Sequence, residues 1–549
     1  MKARHQPNWS VLSPEPAAAQ GLVTAVLLCG QLATRNTGLD LWDLRRWLAG
    51  VGQNIKPYVL PDLCHFPKAI APAVRGADRV VLAVCSSDFA EPEARQQVQQ
   101  AGLDPLTVAF INLGTFATLS PHQAQATQKA RVLLAGAIAR AQSSPKVTPA
   151  HRRPMLAPLG QKVSRRALFT LPPLRYQAVA TTPSEGCLAD TGCDLCIRAC
   201  PRNALTSGGG RVRVAKDRCD GCGVCLAVCP TGAMELAGSG PREVEAQIAA
   251  LLRSASEGLA KGQVAFLCPQ AVHAVEAAGA TGLGASPGVL PVEVPCAGAV
   301  PPGLLLQIVA QGSQSCLVSC PKPCPFGQME AIQERVDFCQ KLLAHLGQSP
   351  DGVCFLDSRL PPVNGRLTLG PDTTLEPGKP VKPTNDFRFG MKGLAEAVLA
   401  LSPEAGWDQK AVFKHPASPF GLVALDSSVC TGCAACAEAC PTGAMKQETE
   451  EETTAISFDA RSCIACSRCM EACPETASRA IHLVRGIDPV RLAQGRIRLF
   501  ENSVVRCQAC GQPVASAAMI NKLKALLGED GGALAAFLGQ YCTDCKAKG

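Results

Sequence analysis

The sequence predicts an α/β plus α+β protein that combines two small parallel-sheet domains, two compact cysteine-dense modules and a short cysteine-bearing C-terminal piece. Buried-strand and amphipathic-helix patterns alternate over residues 22–142 and again over residues 264–358, which is typical of a parallel sheet covered by helices. Cysteines crowd residues 184–238 and 424–484, and both segments contain Cys-Pro-Thr-Gly-Ala-Met. The two kinds of segment therefore alternate along the chain, and the cysteine-dense modules form an internal repeat.

The first parallel-sheet domain is predicted over residues 1–145. Its expected elements are the strands Val23–Cys29, Val80–Cys85 and Val108–Leu113 and the helices Leu39–Leu48, Glu91–Gln100 and His122–Arg140. Cys29, Cys64 and Cys85 fall at or just past strand ends. Because parallel sheets bind ligands at the carboxyl edge of their strands, these three cysteines are candidate ligands of this domain.

The second parallel-sheet domain is predicted over residues 260–358, and a cysteine closes or nearly closes each of its strands. The expected strands are Val264–Cys268, Leu290–Cys296, Ser315–Cys320 and Val353–Leu356, and the expected helices are Leu304–Ala310 and Gln328–Leu346. Two linkers complete the division of the chain. Residues 146–183 form a basic linker, and residues 359–422 form a Pro-rich linker with one helix, Gly393–Leu401.

Thirty cysteines among 549 residues indicate either a disulfide framework or a set of metal ligands, depending on the compartment. The N-terminal residues lack the apolar core of a secretory signal, and the twin-arginine-like stretch Val163–Phe169 lies mid-chain and is interpreted as linker. No run approaches the roughly 18 apolar residues of a membrane helix. The sequence therefore predicts a cytoplasmic protein without a membrane span, whose cysteines bind metal.

The formal net charge is +8, which raises the question of nucleic-acid binding. The positive excess concentrates in the Pro-rich stretch Lys146–Arg175, where Phe169 is the only Phe, Tyr or Trp and there is no regular aromatic interleaving. This pattern favours a solvated linker, or a docking strip for an acidic partner protein, over a nucleic-acid surface.

The second cysteine-dense module, residues 424–484, contains two runs of Cys-x2-Cys-x2-Cys-x3-Cys-Pro. Three thiolates on a short loop can bind three irons of a 4Fe–4S cluster, and in two-cluster ferredoxins the fourth cysteine of each run binds the other cluster. Proline donates no backbone hydrogen bond and fixes the turn after that ligand. The predicted ligand sets are Cys430, Cys433, Cys436 and Cys473 for one cluster, and Cys463, Cys466, Cys469 and Cys440 for the other.

The first module, residues 184–238, follows the same pattern with one departure. Asp190 stands where the first cysteine of the first run is expected, and the cysteine lies three residues earlier, at Cys187. The predicted sets are Cys187, Cys193, Cys196 and Cys229, and Cys219, Cys222, Cys225 and Cys200. The alternative for the first set is Asp190 as a ligand or a 3Fe cluster. Structural zinc prefers two separated cysteine pairs, so four runs ending in Cys-Pro favour two ferredoxin-like modules with four 4Fe–4S clusters.

The C-terminal piece, residues 495–549, carries two Cys-x2-Cys pairs separated by one helical segment. That spacing is typical of a four-thiolate zinc site, so a zinc-ribbon-like piece is expected. Its zinc ligands are Cys507, Cys510, Cys542 and Cys545. A rubredoxin-like iron site, which would use the same ligands, is the alternative.

Residues 22–142 resemble the N-terminal domain of the A subunit of heterodisulfide reductase, through Leu28-Cys29-Gly30, Cys64, Val80–Ser86 and Ala101–Pro105. Members of that family often have Cys-x-Cys-Gly at the first strand, and Leu27 replaces the earlier cysteine here. The resemblance implies either a cluster held by the three remaining thiolates and a ligand such as His65, or a domain without a cluster.

Residues 264–347 resemble the delta subunit of methyl-viologen-reducing hydrogenase, a 2Fe–2S carrier, through Phe266–Cys268, Val294–Gly298 and Ser319-Cys320. The family's Cys-x2-Cys is broken by Ala271. The resemblance implies a candidate 2Fe–2S ligand set, with Cys316 in reserve, whereas Cys339 and Cys354 are expected in the core. The members of that set are Cys268, Cys296, Cys320 and Cys324.

Together the resemblances imply an iron–sulfur electron-transfer subunit that links a catalytic oxidoreductase to a redox carrier. The partner would be a hydrogenase, a formate dehydrogenase or a heterodisulfide-reductase-like enzyme. No Gly-x-Gly-x-x-Gly follows a strand and no nucleophile–base set appears, so the chain itself is not expected to be catalytic. The alternative function is a cluster-bearing assembly or docking scaffold without through-electron transfer.

Overall fold

The computed structural model describes residues 21–34, 39–117, 123–145, 176–182, 186–256, 262–277, 288–318, 320, 324–356, 387–402, 412–475, 480–527 and 539–547. Most of the predicted basic linker and Pro-rich linker, including the twin-arginine-like stretch, lies outside the described residues. The chain forms two compact units. The first comprises residues 1–187, 194–344 and 348–400, and the second comprises residues 188–193, 345–347 and 401–549.

The first unit begins with a four-stranded, fully parallel sheet in the order β2-β1-β3-β4. Every residue of the central strands β1 and β3 is buried, as expected for strands covered by helices on both faces. The strands are β1 (Thr24–Cys29), β2 (Ile55–Leu60), β3 (Arg79–Val84) and β4 (Ala109–Asn112). The helices are α1 (Gln31–Thr34), α2 (Leu41–Val51), α3 (Ile70–Ala73), α4 (Glu91–Gln100), α5 (Leu113–Phe116) and α6 (Gln123–Ser143).

The first cysteine-dense module follows as two short helices and an antiparallel hairpin, β5 with β6. Its elements are α7 (Leu195–Ala199), β5 (Leu205–Gly208), β6 (Arg211–Val214) and α8 (Val224–Val228). A bridge between Thr181 and Glu235 pairs the two ends of the module. The next helix, α9 (Pro241–Ser256), packs along α6 so closely that Gly136 of α6 lies against the side chain of Leu251.

A second parallel sheet, in the order β10-β9-β7-β8, completes the first unit. All four strands expected here are present: β7 (Gln263–Leu267), β8 (Val289–Glu293), β9 (Gln314–Val318) and β10 (Val353–Leu356). The helices are α10 (Pro269–Ala277), α11 (Pro302–Ala310), α12 (Met329–His345) and α13 (Gly390–Leu401).

Two of the cysteines in this sheet differ from the expectation. Cys316 on β9 and Cys354 on β10 are register partners on neighbouring strands and form a disulfide. The expectation of Cys316 as a reserve ligand was therefore wrong, because strand pairing cannot be read from the residue alone. Cys354, which was expected in the core, is half-buried. Cys339 on α12 is fully buried, as expected.

The second unit contains the second cysteine-dense module and the C-terminal segment. Two antiparallel sheets form it, in the orders β11-β15-β12 and β13-β14-β16-β17. The strands are β11 (Phe413–Lys414), β12 (Gly421–Leu425), β13 (Met445–Thr449), β14 (Thr453–Asp459), β15 (Ile481–Ile487), β16 (Arg496–Arg506) and β17 (Pro513–Ser516). The helices are α14 (Ala435–Glu438), α15 (Arg468–Glu471), α16 (Pro489–Gln494), α17 (Ala517–Leu527) and α18 (Thr543–Lys546).

The C-terminal segment shares a sheet with the second module. Strand β16 pairs with the whole length of β14, from Thr453 to Asp459, so it extends the β13–β14 hairpin of the module. The benzene ring of Phe500 on β16 and the side chain of Ser516 on β17 also lie against Gly432, in the first cysteine run. The sequence suggested a separate zinc-ribbon-like piece, because pairing between distant strands leaves no local signal. In the described part of the chain, no helix is long and apolar enough to cross a bilayer.

Candidate metal centres

One pocket in the second module has four cysteines in its wall. Cys440 comes from the end of the first run, and Cys463, Cys466 and Cys469 come from the second run. Most of the remaining wall is apolar, and it is formed by Val423, Thr442, Ala444, Met445, Ile464, Ser467 and Leu483. Four sulfur donors around an apolar hollow fit a 4Fe–4S cluster, whose irons are bound by cysteine thiolates. This is the crossed set that the motif predicts.

Burial governs the acidity of these thiols. It raises the pKa of Cys463 to about 12 and that of Cys469 to about 11, and the charge of Cys440 adds to both increases. Thiols in such surroundings stay protonated at neutral pH, whereas metal ligation requires the thiolate. Loading this pocket with metal therefore releases protons.

The other predicted set of the second module is also brought together. Burial raises the pKa of Cys436 to about 12, and the neighbouring charges that contribute include those of Cys430, Cys433 and Cys473. The thiol of Cys473, from the second run, has Cys433 as an electrostatic neighbour in turn. The charge of Cys469, which lines the pocket described above, also raises the pKa of Cys436. The two sets of sulfurs are therefore adjacent.

A repeated left-handed backbone shapes the cysteine loops. Three runs have positive φ two residues after their first cysteine and one residue after their second. The pairs are Gly221 and Gly223, Gly432 and Ala434, and Ala465 and Ser467. The turn directs backbone amides at sulfur: the amides of Gly432 and Ala465 donate to the thiols of Cys430 and Cys463. Residues other than glycine rarely adopt this conformation, so Ala434, Ala465 and Ser467 are backbone positions that shape the cysteine loops, and the spacing analysis missed them.

In the first module the structure brings together one predicted set. Burial raises the pKa of Cys222, and the charges of Cys200 and Cys219 raise it further. The same two thiols also raise the pKa of Cys225. Cys225 also has Cys196, from the other predicted set, as an electrostatic neighbour. The run that departs in sequence departs in backbone as well. Asp194 has φ −133° where the other three runs have a left-handed residue.

The ligand set that includes the first run of the first module stays a prediction. Its members are Cys187, Cys193, Cys196 and Cys229.

The four candidate ligands of the second parallel sheet meet at its carboxyl edge. Cys268 directly follows β7, and Cys296 and Cys320 follow β8 and β9. The thiol of Cys320 is hydrogen-bonded to those of Cys268 and Cys324. Burial raises the pKa of Cys296 to about 12, with added repulsion from Cys324, Cys222 and Cys268.

The contribution of Cys222 shows that this edge faces the first module. The contact is tight: a Cβ added at Gly223 would lie 2.9 Å from the Cβ of Ala299, and Val224 approaches Gly298.

The four C-terminal cysteines form a much smaller group. Their Sγ atoms all lie within 4.8 Å of one another, and those of Cys510 and Cys542 are 3.6 Å apart. A tetrahedral ion with zinc–sulfur bonds of about 2.3 Å separates its ligand sulfurs by about 3.8 Å, so the group fits one ion. A hydrogen bond from the backbone of Cys542 lowers the pKa of Cys507 to about 6, which favours the thiolate that an ion needs.

Cys29, Cys64 and Cys85 form the second group of this small size in the described part of the chain. The Sγ–Sγ distances are 3.5 Å for Cys29 and Cys64, 3.1 Å for Cys64 and Cys85, and 3.9 Å for Cys29 and Cys85. Hydrogen bonding with Cys64, and then with Cys85, lowers the pKa of Cys29. His65 is not a member of this group, and its Nδ1 lies 2.7 Å from Oδ1 of Asp62.

Comparison with known families agrees with these segments. Residues 190–240 and residues 422–474 each match a 4Fe-4S dicluster domain, and residues 264–361 match the delta subunit of methyl-viologen-reducing hydrogenase. The first dicluster match begins at Asp190 and so leaves Cys187 outside it. Two dicluster domains indicate up to four 4Fe–4S clusters.

One relative is similar to a part of the chain. The iron-sulfur A subunit of CoB–CoM heterodisulfide reductase from Methanocaldococcus jannaschii is 38% identical over 123 residues. The match covers 21% of this chain, and the chain spans only 18% of the length of that relative.

Proposed function

We propose that this chain relays electrons between a partner oxidoreductase and a redox carrier through four 4Fe–4S clusters, and that the second parallel sheet adds a 2Fe–2S cluster. The partner class is a hydrogenase, a formate dehydrogenase or a heterodisulfide-reductase-like enzyme. Cluster-bearing domains and the hydrogenase-delta match support an iron–sulfur electron-transfer subunit. We further propose that the chain passes electrons to or from a redox carrier, that its C-terminal cysteines bind zinc, and that it is located in the cytoplasm.

The observation that carries the proposal is a row of neighbouring cysteine sets in the first unit. Cys196 is an electrostatic neighbour of Cys225, and Cys222, from the same set as Cys225, is a neighbour of Cys296. Adjacent sets permit an electron to pass from one cluster to the next, which is the chemistry that bound clusters supply. The residues of the chain hold the sulfurs in place, exclude water and direct backbone amides at them.

The glycines at the module–sheet contact keep these sets close. Gly223 and Gly298 have no side chain, so the loop of Cys222 and Cys225 approaches the loop that follows Cys296. A larger residue at either glycine would separate the two sets. This close contact favours a relay over a scaffold whose clusters need not be neighbours.

The test is anaerobic purification of the full chain with metal analysis and paramagnetic resonance. Four 4Fe–4S clusters (cubanes) would contain about sixteen iron atoms, and a 2Fe–2S cluster would add about two. Dithionite reduction should give spectra split by coupling between neighbouring clusters. Iron for no more than two cubanes would overturn the relay. Iron that is lost on desalting, without reducible clusters, would favour the scaffold instead.

A further inference from the structure

The cysteines at the carboxyl edge of the first sheet, Cys29, Cys64 and Cys85, are spaced unlike the ferredoxin cysteines. In a cubane each thiolate binds a different iron, so the ligand sulfurs stand apart. Their mutual distances here are 3.1, 3.5 and 3.9 Å, close to the roughly 3.8 Å edge of a tetrahedron around one ion with metal–sulfur bonds of about 2.3 Å.

The sulfur spacing of the triad can be compared with that of the C-terminal cysteines. Among the described residues, only two groups of three or more metal-ligating side chains have all their donor atoms within 4.8 Å of one another. One is the C-terminal four-cysteine group, and the other is this triad. The described cysteines of the dicluster domains do not meet that spacing. The triad therefore has the dimensions of a one-ion site.

Backbone amides around the triad point at its sulfurs. The amide of Cys85 donates to Sγ of Cys64 at 3.3 Å, and the amides of Cys64 and Gln31 donate to Sγ of Cys29. Amides aimed at ligand sulfurs are the outer-shell partners that orient metal-binding side chains. All three cysteines are buried, with exposed fractions of 0%, 2% and 4% for Cys29, Cys64 and Cys85, so the sulfurs are shielded from water.

Close backbone approaches also flank the triad. A Cβ at Gly30 would lie 2.8 Å from the carbonyl oxygen of Pro61, and a Cβ at Gly114 would collide with the carbonyl oxygen of Cys85. Two backbone approaches that only glycine permits therefore fix the segments beside Cys29, Cys64 and Cys85. A preformed set of donors is what a tight metal site requires.

We propose that Cys29, Cys64 and Cys85 bind a single thiophilic divalent ion of the zinc class, and not an iron–sulfur cluster. Binding exchanges the thiol protons for the ion, with no change of oxidation state. Three protein ligands, with no fourth from the described residues, match zinc sites that keep one position open. His65 is not a member of this donor group, because none of its ring nitrogens is grouped with the three sulfurs.

The test is the zinc and iron content of the full chain after anaerobic incubation with Zn²⁺ and gel filtration. The unaltered chain should hold two zinc ions, one here and one at the C-terminal group. Cys64→Ser should reduce the zinc from two to one with iron unchanged, and Cys339→Ser, which replaces a buried cysteine outside both groups, should leave both metals unchanged. In Cys510→Ser the remaining zinc should show about three sulfur neighbours at about 2.3 Å by X-ray absorption, with a lighter neighbour in the open position.

Several outcomes would overturn this assignment. If Cys64→Ser loses iron and keeps its zinc, the triad holds a cluster. If the unaltered chain holds one zinc ion that Cys510→Ser removes, the triad binds none, and this result needs no variant of the triad to fold. The relay is judged by the irons of the dicluster domains, so its failure and the failure of this site are distinguishable.

Discussion

Cys440, which ends the first cysteine run of the second module, lines the same pocket as Cys463, which begins the second run. Residues from both runs are therefore needed to surround one hollow. This crossing is the most specific consequence of the repeated motif, and it can be tested one cluster at a time.

Cys473→Ser should damage the cluster assigned to Cys430, Cys433 and Cys436, leaving a 3Fe form, and spare the one assigned to Cys463, Cys466 and Cys469. The reason is that Cys473 is an electrostatic neighbour of Cys433 although it lies in the other run. Paramagnetic resonance of Cys473→Ser and Cys433→Ser checks this. If the two variants lose different clusters, the runs are not interleaved.

Cys510→Ser should remove one zinc ion and leave the iron content unchanged, because the four C-terminal sulfurs form a closed group of their own. Elemental analysis of both metals measures the result. A point variant is preferable to truncation before Arg496, since truncation would also remove β16 from the sheet of the module. A fall in iron with constant zinc would show that the site is rubredoxin-like.

Gly223→Ala should lower the thermal unfolding midpoint more than Gly443→Ala does. Both glycines have positive φ, +77° and +66°, so both alanines carry a strain of about 1–2 kcal/mol. Only at Gly223 would the added Cβ meet a neighbour, 2.9 Å from the Cβ of Ala299, which adds an overpacking cost of about 1–3 kcal/mol. Anaerobic calorimetry compares the two variants. Equal losses would mean that the module–sheet contact is loose.

The metal-free second module should become less stable as the solution turns alkaline. Burial raises the folded-state pKa of Cys463 from 9.0 to about 12, so its contribution is complete below about pH 9 and is lost as the pH rises towards 12. Cys463→Ala should remove about one proton, or ~1.4 kcal/mol per pH unit, from this dependence. Chemical unfolding of the apoprotein across that pH range measures it. An unchanged dependence in Cys463→Ala would contradict the prediction.

The sequence predicted the elements that carry strong local patterns. The fully buried strands β1 and β3 and all four strands of the second sheet were expected from continuous, mostly apolar runs. Strand β2 was missed, because Ile55–Leu60 mixes Lys56, Pro57 and Tyr58 with apolar residues at the edge of the sheet. The boundaries of β2 are set by its pairing with β1, and no local sequence pattern predicts that pairing.

The site was predictable as far as cysteine spacing reaches. The motif predicts that Cys440 binds the same cluster as the cysteines of the second run, because in two-cluster ferredoxins the fourth cysteine of each run binds the other cluster. Distances between sulfurs are not in the motif. The one-ion size of the group at Cys29, the disulfide of Cys316 and Cys354, and the left-handed backbone at Ala465 each depend on where separate segments meet or turn.

The pairing of β16 with β14 has a consequence for biosynthesis. Chains fold progressively from the N-terminus as they are made, so the β13–β14 hairpin leaves the ribosome before its third strand exists. Until Arg506 has emerged, the free edge of β14 is a template on which another nascent chain can add a strand. The C-terminal segment therefore covers this edge once it has been made, and a ribosome stalled before Arg496 should yield chains that aggregate through β14.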